Sequence, residues 1–307
     1  MPIRLNYMSF PILLMASANV FAALGDGVIE KRIGDSTVRL ETSARFGGSV
    51  SSIIFRGVEY VDTWDHGREL QSAASFDRLG ECFNPTEAGS SADKKLPTTS
   101  TKVIAAEVGR DWIATKADMA FWLPPGQDYK RKCGTGDYPT ITHAVNTSIR
   151  GGYILDKRIS IGTSVAPNVI VDRVTYVVPE AHRFGTFEAA TVYTPVSFSK
   201  RYVFNPDTGE TSPTTFFGEQ ALPVILATDD GSSAIGVFSE KLPQDKRGYG
   251  TFTYSNTQKI NCVFRERDIV AGQKFSYKCN FAIGTLKEVE DSIRILHRHA
   301  TETRNQP

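Results

Sequence analysis

Apolar residues recur at clear helical spacing in one place only, where Leu286, Val289, Ile293 and Leu296 stand three, four and three apart with Glu288 and Asp291 on the other face. Everything before that point reads as short strand-like runs cut by turn signals. Ser36 to Glu41 alternates with Val38 and Leu40 on one side, and FGGSVSSIIFRGVEYVD reads as two strands joined at Gly57, a residue free to take positive φ. In VIVDRVTYVV, Ile170, Val174, Tyr176 and Val178 share a face, and Asp229-Asp230-Gly231-Ser232 between LPVILAT and SAIGVFS is a hairpin signal. Many short strands, frequent turns and one late helix predict an all-β sandwich.

The first residues, MPIRLNYMSFPILLMASANVFAALGDG, carry a basic Arg4, an apolar run from Met8 to Met15 and small residues around Ala22, the pattern of a secretory signal peptide. The alternative, an uncleaved anchor, needs roughly 20 apolar residues, more than this run supplies. The expected organisation is therefore a signal peptide over residues 1–22, a single β-sandwich domain over 23–300 and a disordered tail over 301–307. Such a protein is secreted or periplasmic, with no membrane span once the signal is cleaved. Four cysteines in an exported chain form disulfides, with three connectivities open. Cys262 with Cys279 is favoured, because KINCVFRERDIVAGQKFSYKCNF looks like a hairpin whose arms place them opposite one another, and this leaves Cys82 with Cys133.

Thirty-five basic residues against thirty-four acidic ones give a net charge of +1, so no global field attracts nucleic acid. No C-x-x-C, H-x-x-x-H or D-x-D-x-D-G spacing supports a metal, and no G-x-G-x-x-G, P-loop or G-x-S-x-G supports a nucleotide or a nucleophilic serine. No cofactor is expected, and a monomer is.

One stretch is too polar for a core strand and too specific for a linker: Asp65 to Ser90, DHGRELQSAASFDRLGECFNPTEAGS, with five carboxylates, a histidine and two arginines. Asp65 beside His66 would fix the imidazole tautomer, and Arg68 offers a planar fork for a carboxylate or vicinal hydroxyls. Glu81 and Glu87, brought face to face across a sugar, would serve as acid and base, with His66 in proton transfer. Gln71, Ser72, Ser75, Asp77 and Asn84 supply hydrogen bonds, Trp64 a stacking ring, and His143 or His182 could reach the same face from a strand. Each has a plainer reading: Asp65 as a turn acceptor, Arg68 in a structural ion pair, the glutamates in solvent or capping a turn, the strand histidines as satisfied polar residues.

FGGSVSSIIFRGVEYVD, LPVILATDDGSSAIGVFSE and DIVAGQKFSYKCNFAIGTLKEVEDSIRIL together resemble domains of the galactose mutarotase-like superfamily. The resemblance implies a large antiparallel β-supersandwich with one C-terminal helix and a concave face suited to carbohydrate. It also implies sugar contact by Arg68, which stands where that superfamily often has an arginine after its first hairpin. The paired-histidine segment and late glutamate base of its epimerases have no clear counterpart here. The expected partner is an oligo- or polysaccharide, bound and processed by a hydrolase, lyase or epimerase-like activity, or else bound by a non-catalytic module or structural envelope protein.

Overall fold

The computed structural model describes residues 23–241, 247–254 and 256–304. The expected signal peptide at 1–22 lies outside them, as do residues 305–307.

The chain opens with β1 (Gly27–Ile33), β2 (Ser36–Ser43), β3 (Ser49–Phe55) and β4 (Val58–Glu59). β5 (Leu70–Phe76) leads through a 3-10 turn at Gly80–Phe83 to β6 (Pro85–Thr86), β7 (Lys102–Val108) and β8 (Trp112–Phe121). β9 (Asp128–Cys133) and β10 (Ile141–His143) form a small separate hairpin. The long strands β11 (Arg150–Ile161), β12 (Val169–Val177) and β13 (His182–Pro195) follow. Then come β14 (Lys200–Asn205), β15 (Glu210–Pro213), β16 (Gly218–Gln220), β17 (Val224–Ala227), β18 (Ala234–Phe238) and β19 (Tyr249–Tyr254). β20 (Thr257–Ile269), β21 (Lys274–Gly284) and α1 (Leu286–Arg304) close the chain.

All strand pairings are antiparallel. One layer runs β1–β2–β3–β5–β13–β20–β19–β16. The other runs β7–β8–β11–β12–β21–β18–β17–β14–β15. Short β6 bridges β5 to β8 and joins the layers at one side. The expected antiparallel supersandwich with a C-terminal helix is what the chain forms.

Strand alternation fills the space between the layers with Leu40, Ile53, Phe55, Phe76, Tyr153, Tyr176, Phe187, Ile260 and Phe281, all at most 1% exposed. Burying each such side chain contributes roughly 1.5–3 kcal/mol. A second apolar layer sets Val289, Ile293 and Leu296 of α1 against Phe204, Ile225 and Phe238, so the helical stripe in the sequence is the face that packs. Thr285 caps the helix: Glu288 N–H donates to its Oγ1 at 3.2 Å, and its own N–H donates to Glu288 Oε2 at 2.7 Å, a reciprocal box. The helix runs on to Arg304, so residues 301–304 belong to it rather than to the disordered tail expected from 301. No helix among the described residues is long and apolar enough to cross a membrane.

Both favoured disulfides form, Cys82–Cys133 and Cys262–Cys279. The hairpin reasoning behind the second does not hold. β20 takes its hydrogen bonds from β13 and β19, and β21 from β12 and β18. The two strands meet side chain to side chain across the sandwich, where Phe264 stacks on Tyr277 at 4.2 Å beside the disulfide. The chain turns from one layer to the other at 270–273, and the bond staples the layers rather than two hairpin arms.

Candidate functional site

The outward face of β13 and β20 gathers the chemistry. Phe187, Val192, Ile260 and Cys262 point into the core, and alternation sends Glu188, Tyr193, Lys259 and Asn261 the other way. The β13–β20 register slips between Glu188 and Ala190. That bulge resets the alternation, so that Thr191 shares a face with Glu188 and donates its hydroxyl to Glu188 Oε2 at 2.7 Å. Lys259 Nζ donates to the same carboxylate oxygen at 2.8 Å. Burial raises the Glu188 carboxyl, but Lys259 outweighs it and the group lies below the usual range. Burial likewise lowers the Lys259 ammonium, and Glu188 reverses the balance to hold it well above its ordinary value. Both partners stay charged at neutral pH.

Glu81 behaves oppositely. Crowding by protein atoms pushes its carboxyl up to about 7, with Lys259 and Arg131 pulling down and Glu188 pushing up. Its position follows from the first disulfide. Cys82 belongs to the 3-10 turn at Gly80–Phe83 and Cys133 ends β9, so the bond fixes Glu81 beside the hairpin that carries Tyr129 and Arg131. Glu81 is in turn a reason the Tyr129 phenol is raised, after burial itself. Tyr193 and Tyr254 line the same face at 6.2 Å from each other, and Phe252 and Phe217 extend it at 5.3 Å. Asn261, 1% exposed, faces Glu188 and adds to the interactions that hold its carboxyl low. Glu188 also borders a concavity of about 2040 Å³, together with Ser75, Thr186, Glu219 and Arg265.

The residues singled out from the sequence divide into two groups. Arg68 reaches the rim of this face, donating to Asn256 Oδ1 at 2.7 Å in the turn after Tyr254, with Asp62 at 3.7 Å and Asp65 at 3.6 Å. Its guanidinium lies 4.8 Å from the ring of Trp64, which is 49% exposed. Asp65 also caps its own turn by accepting from Gly67 N–H at 3.1 Å. His143 is exposed on β10, in the hairpin that borders Glu81. Asn84, just beyond Cys82, leaves its buried Oδ1 without a partner.

The others are held by the fold. His66, 1% exposed, places Nδ1 2.6 Å from the Lys94 carbonyl and Nε2 2.9 Å from the Arg45 carbonyl, so neither nitrogen is free for proton transfer. Glu87 is fully buried and accepts from Lys157 Nζ at 2.9 Å and Ser72 N–H at 2.8 Å. It faces Lys157 and Asp172 inside the sandwich and does not oppose Glu81 across a cleft. Gln71 accepts from Ala88 N–H at 3.1 Å. Asp77 takes up His182 Nδ1 at 2.9 Å and the N–H groups of Arg183 and Phe184 at 2.9 and 3.3 Å. The carboxylate that shares Glu81's surroundings is Glu188, which sequence reading passed over. Its signal was there: in HRFGTFEAATVYTP and TQKINCVFRERDI, charged and amide side chains alternate with core residues on strands too apolar to be edges.

Among the described residues no group of three histidines, cysteines or carboxylates is placed to hold a metal. Lys259 is a fixed positive charge of the face.

Fold and face together define a two-layer antiparallel β-sandwich with a titratable, aromatic-rimmed outer surface. Its structure is similar to that of a galactose mutarotase-like protein from Lactobacillus casei, at 10% identity over 84% of this chain and 100% of that one, with a TM-score of 0.43. It is also similar to parts of an α-mannosidase from Enterococcus faecalis (10% identity, 86% of this chain and 31% of that one, TM-score 0.45). The same holds for an α-galactosidase from Lactobacillus brevis (7% identity, 87% and 40%, TM-score 0.42). No family profile and no curated protein sequence matches the chain.

Proposed function

We propose that the chain is an exported carbohydrate-processing protein that works by acid/base chemistry on the outer face of β13 and β20. The supporting observation is that two carboxyls in one neighbourhood are driven apart: Glu81 is raised to about 7 while Glu188 is held low by Lys259. Such divergence is how one site keeps an acid and a base side by side. Glu81 then protonates a leaving or ring oxygen, and Glu188 is the carboxylate that takes a proton or stabilises developing positive charge. Tyr254, Phe252 and Trp64 supply the ring faces on which a pyranose packs, and Arg68 supplies hydrogen bonds to hydroxyls. The two disulfides accord with an oxidising compartment.

Incubation of the full chain with a pool of oligosaccharides, read by mass spectrometry, tests this reading. Turnover by the native protein that is lost in Glu81→Gln and in Glu188→Gln supports it. Oligosaccharide binding without any change in mass identifies a non-catalytic module. Absence of both binding and turnover overturns the carbohydrate reading.

A further inference from the structure

The concavity beside this face is more cationic than the chain around it. Its lining holds ten lysines and arginines against six carboxylates, whereas the whole chain is almost balanced at 35 against 34. Arg78, Phe184 and Arg267 of this lining continue into Tyr138 and Arg183 beyond it, so that three guanidiniums and two rings alternate. Arg183 lies 5.1 Å from the Tyr138 ring, Arg78 lies 5.9 Å from Tyr138 and 5.0 Å from Phe184, and Arg267 lies 5.5 Å from Phe184. None of the three has a carboxylate partner among the described residues. Of the acids adjacent in the chain, Asp77 is engaged with His182 and two backbone N–H groups and Glu266 with the Tyr277 hydroxyl at 3.1 Å, while Asp268 is exposed beside Arg267.

The row is built into the backbone. Arg78 sits at φ 54, a left-handed conformation unusual for a side-chain-bearing residue. The Arg78 guanidinium lies against Gly136, where a Cβ would come within 2.8 Å of Nη1 and the end of the arginine would have to shift. Aromatic faces hold guanidiniums in place but do not cancel their mutual repulsion. An anion does, and the planar fork pairs best with carboxylate or sulfate oxygens. Charges strung along a row suit a ligand that carries its own charges at intervals.

We propose that Arg78, Arg183 and Arg267 form an anion subsite for an acidic glycan, one built of uronic or sulfated sugars. This rests on the carbohydrate reading above and names its substrate class.

The test measures binding of three oligosaccharide probes to the full chain: oligogalacturonate, chondroitin sulfate and neutral malto-oligosaccharide. The acidic probes should bind about tenfold or more tightly than the neutral one, with the margin shrinking as ionic strength rises. Arg183→Gln with Arg267→Gln, both at exposed positions, should erase the margin while leaving the melting temperature and any neutral binding unchanged. Arg78→Gln should do the same by itself in part. A preference for the sulfated or the carboxylate probe tells which anion is read. Equal binding of acidic and neutral probes, or a double variant that matches the native protein, overturns the subsite and leaves the carbohydrate reading standing. Binding of no probe overturns both.

Discussion

Lys259 Nζ and the Glu188 carboxylate meet at 2.8 Å between neighbouring strands, yet the two residues are 71 positions apart in the chain. Each keeps the other ionised, and together they set the field in which Glu81 titrates. Lys259 is 7% exposed, and its side chain has little access to water if its partner is removed. Glu188→Gln should therefore cost on the order of 2 kcal/mol, below the full buried-pair range because Glu188 itself is partly solvated. Urea unfolding at pH 7 measures the loss.

Glu81 makes stability depend on pH. Its folded value of about 7 lies above the ordinary 4.5, so the folded state binds the proton more tightly than the unfolded chain does. The contribution is fully present below about pH 4.5 and is lost as pH rises through about 7. The span is up to about 3 kcal/mol, reduced by the part of the group that meets solvent. Unfolding free energies of the native protein and of Glu81→Gln, compared between pH 4 and pH 8, should converge in acid and separate toward neutral pH, with the variant the more stable at high pH.

The buried group of Glu87, Lys157 and Asp172 carries two negative charges and one positive. Lys157 Nζ is 2.9 Å from Glu87 and 3.5 Å from Asp172. Burial raises Asp172 to about 6, against the pull of Lys157. Asp172→Asn removes the surplus charge and should stabilise the protein above pH 6, while Lys157→Met leaves two buried carboxylates facing each other and should cost about 3–5 kcal/mol. Thermal melts of the two variants should move in opposite directions.

The disulfides should differ in what they control. Loop-closure entropy assigns about 4 kcal/mol to Cys82–Cys133 and about 3 kcal/mol to Cys262–Cys279, whose partners are 51 and 17 residues apart. Only the first also holds Glu81 against the β9–β10 hairpin. Replacing Cys82 and Cys133 with alanine should release the crowding and move the Glu81 titration down toward 4.5. Replacing Cys262 and Cys279 should lower stability and leave that titration in place.

The sandwich was legible because its signals are local: Gly57 and Gly231 at their hairpins, alternation along Val38–Leu40 and Ile170–Tyr176, the stripe on α1. Cys262 and Cys279 show where local reading ends. Their spacing fits a hairpin, but whether two strands bond edge to edge or face each other across a core is decided by partners far away in the chain. Glu81 was legible as a carboxylate in a polar loop. His66 and Glu87 looked equally chemical, and only the distant Lys94, Arg45 and Lys157 reveal that they are spent on holding the fold. Glu188 and Lys259 were hidden for the converse reason, since strand pairing alone brings them together.

In this site the Glu81 carboxyl keeps its proton to near neutrality beside an ionised Glu188. Side-chain carboxyl carbon shifts of selectively labelled protein, followed through a pH titration, report both groups directly. The Glu81 midpoint should stand at about 7 and fall in Glu188→Gln, with Glu188 titrating below the usual carboxylate range. A Glu81 midpoint at its ordinary value, unmoved by that substitution, would contradict this assignment.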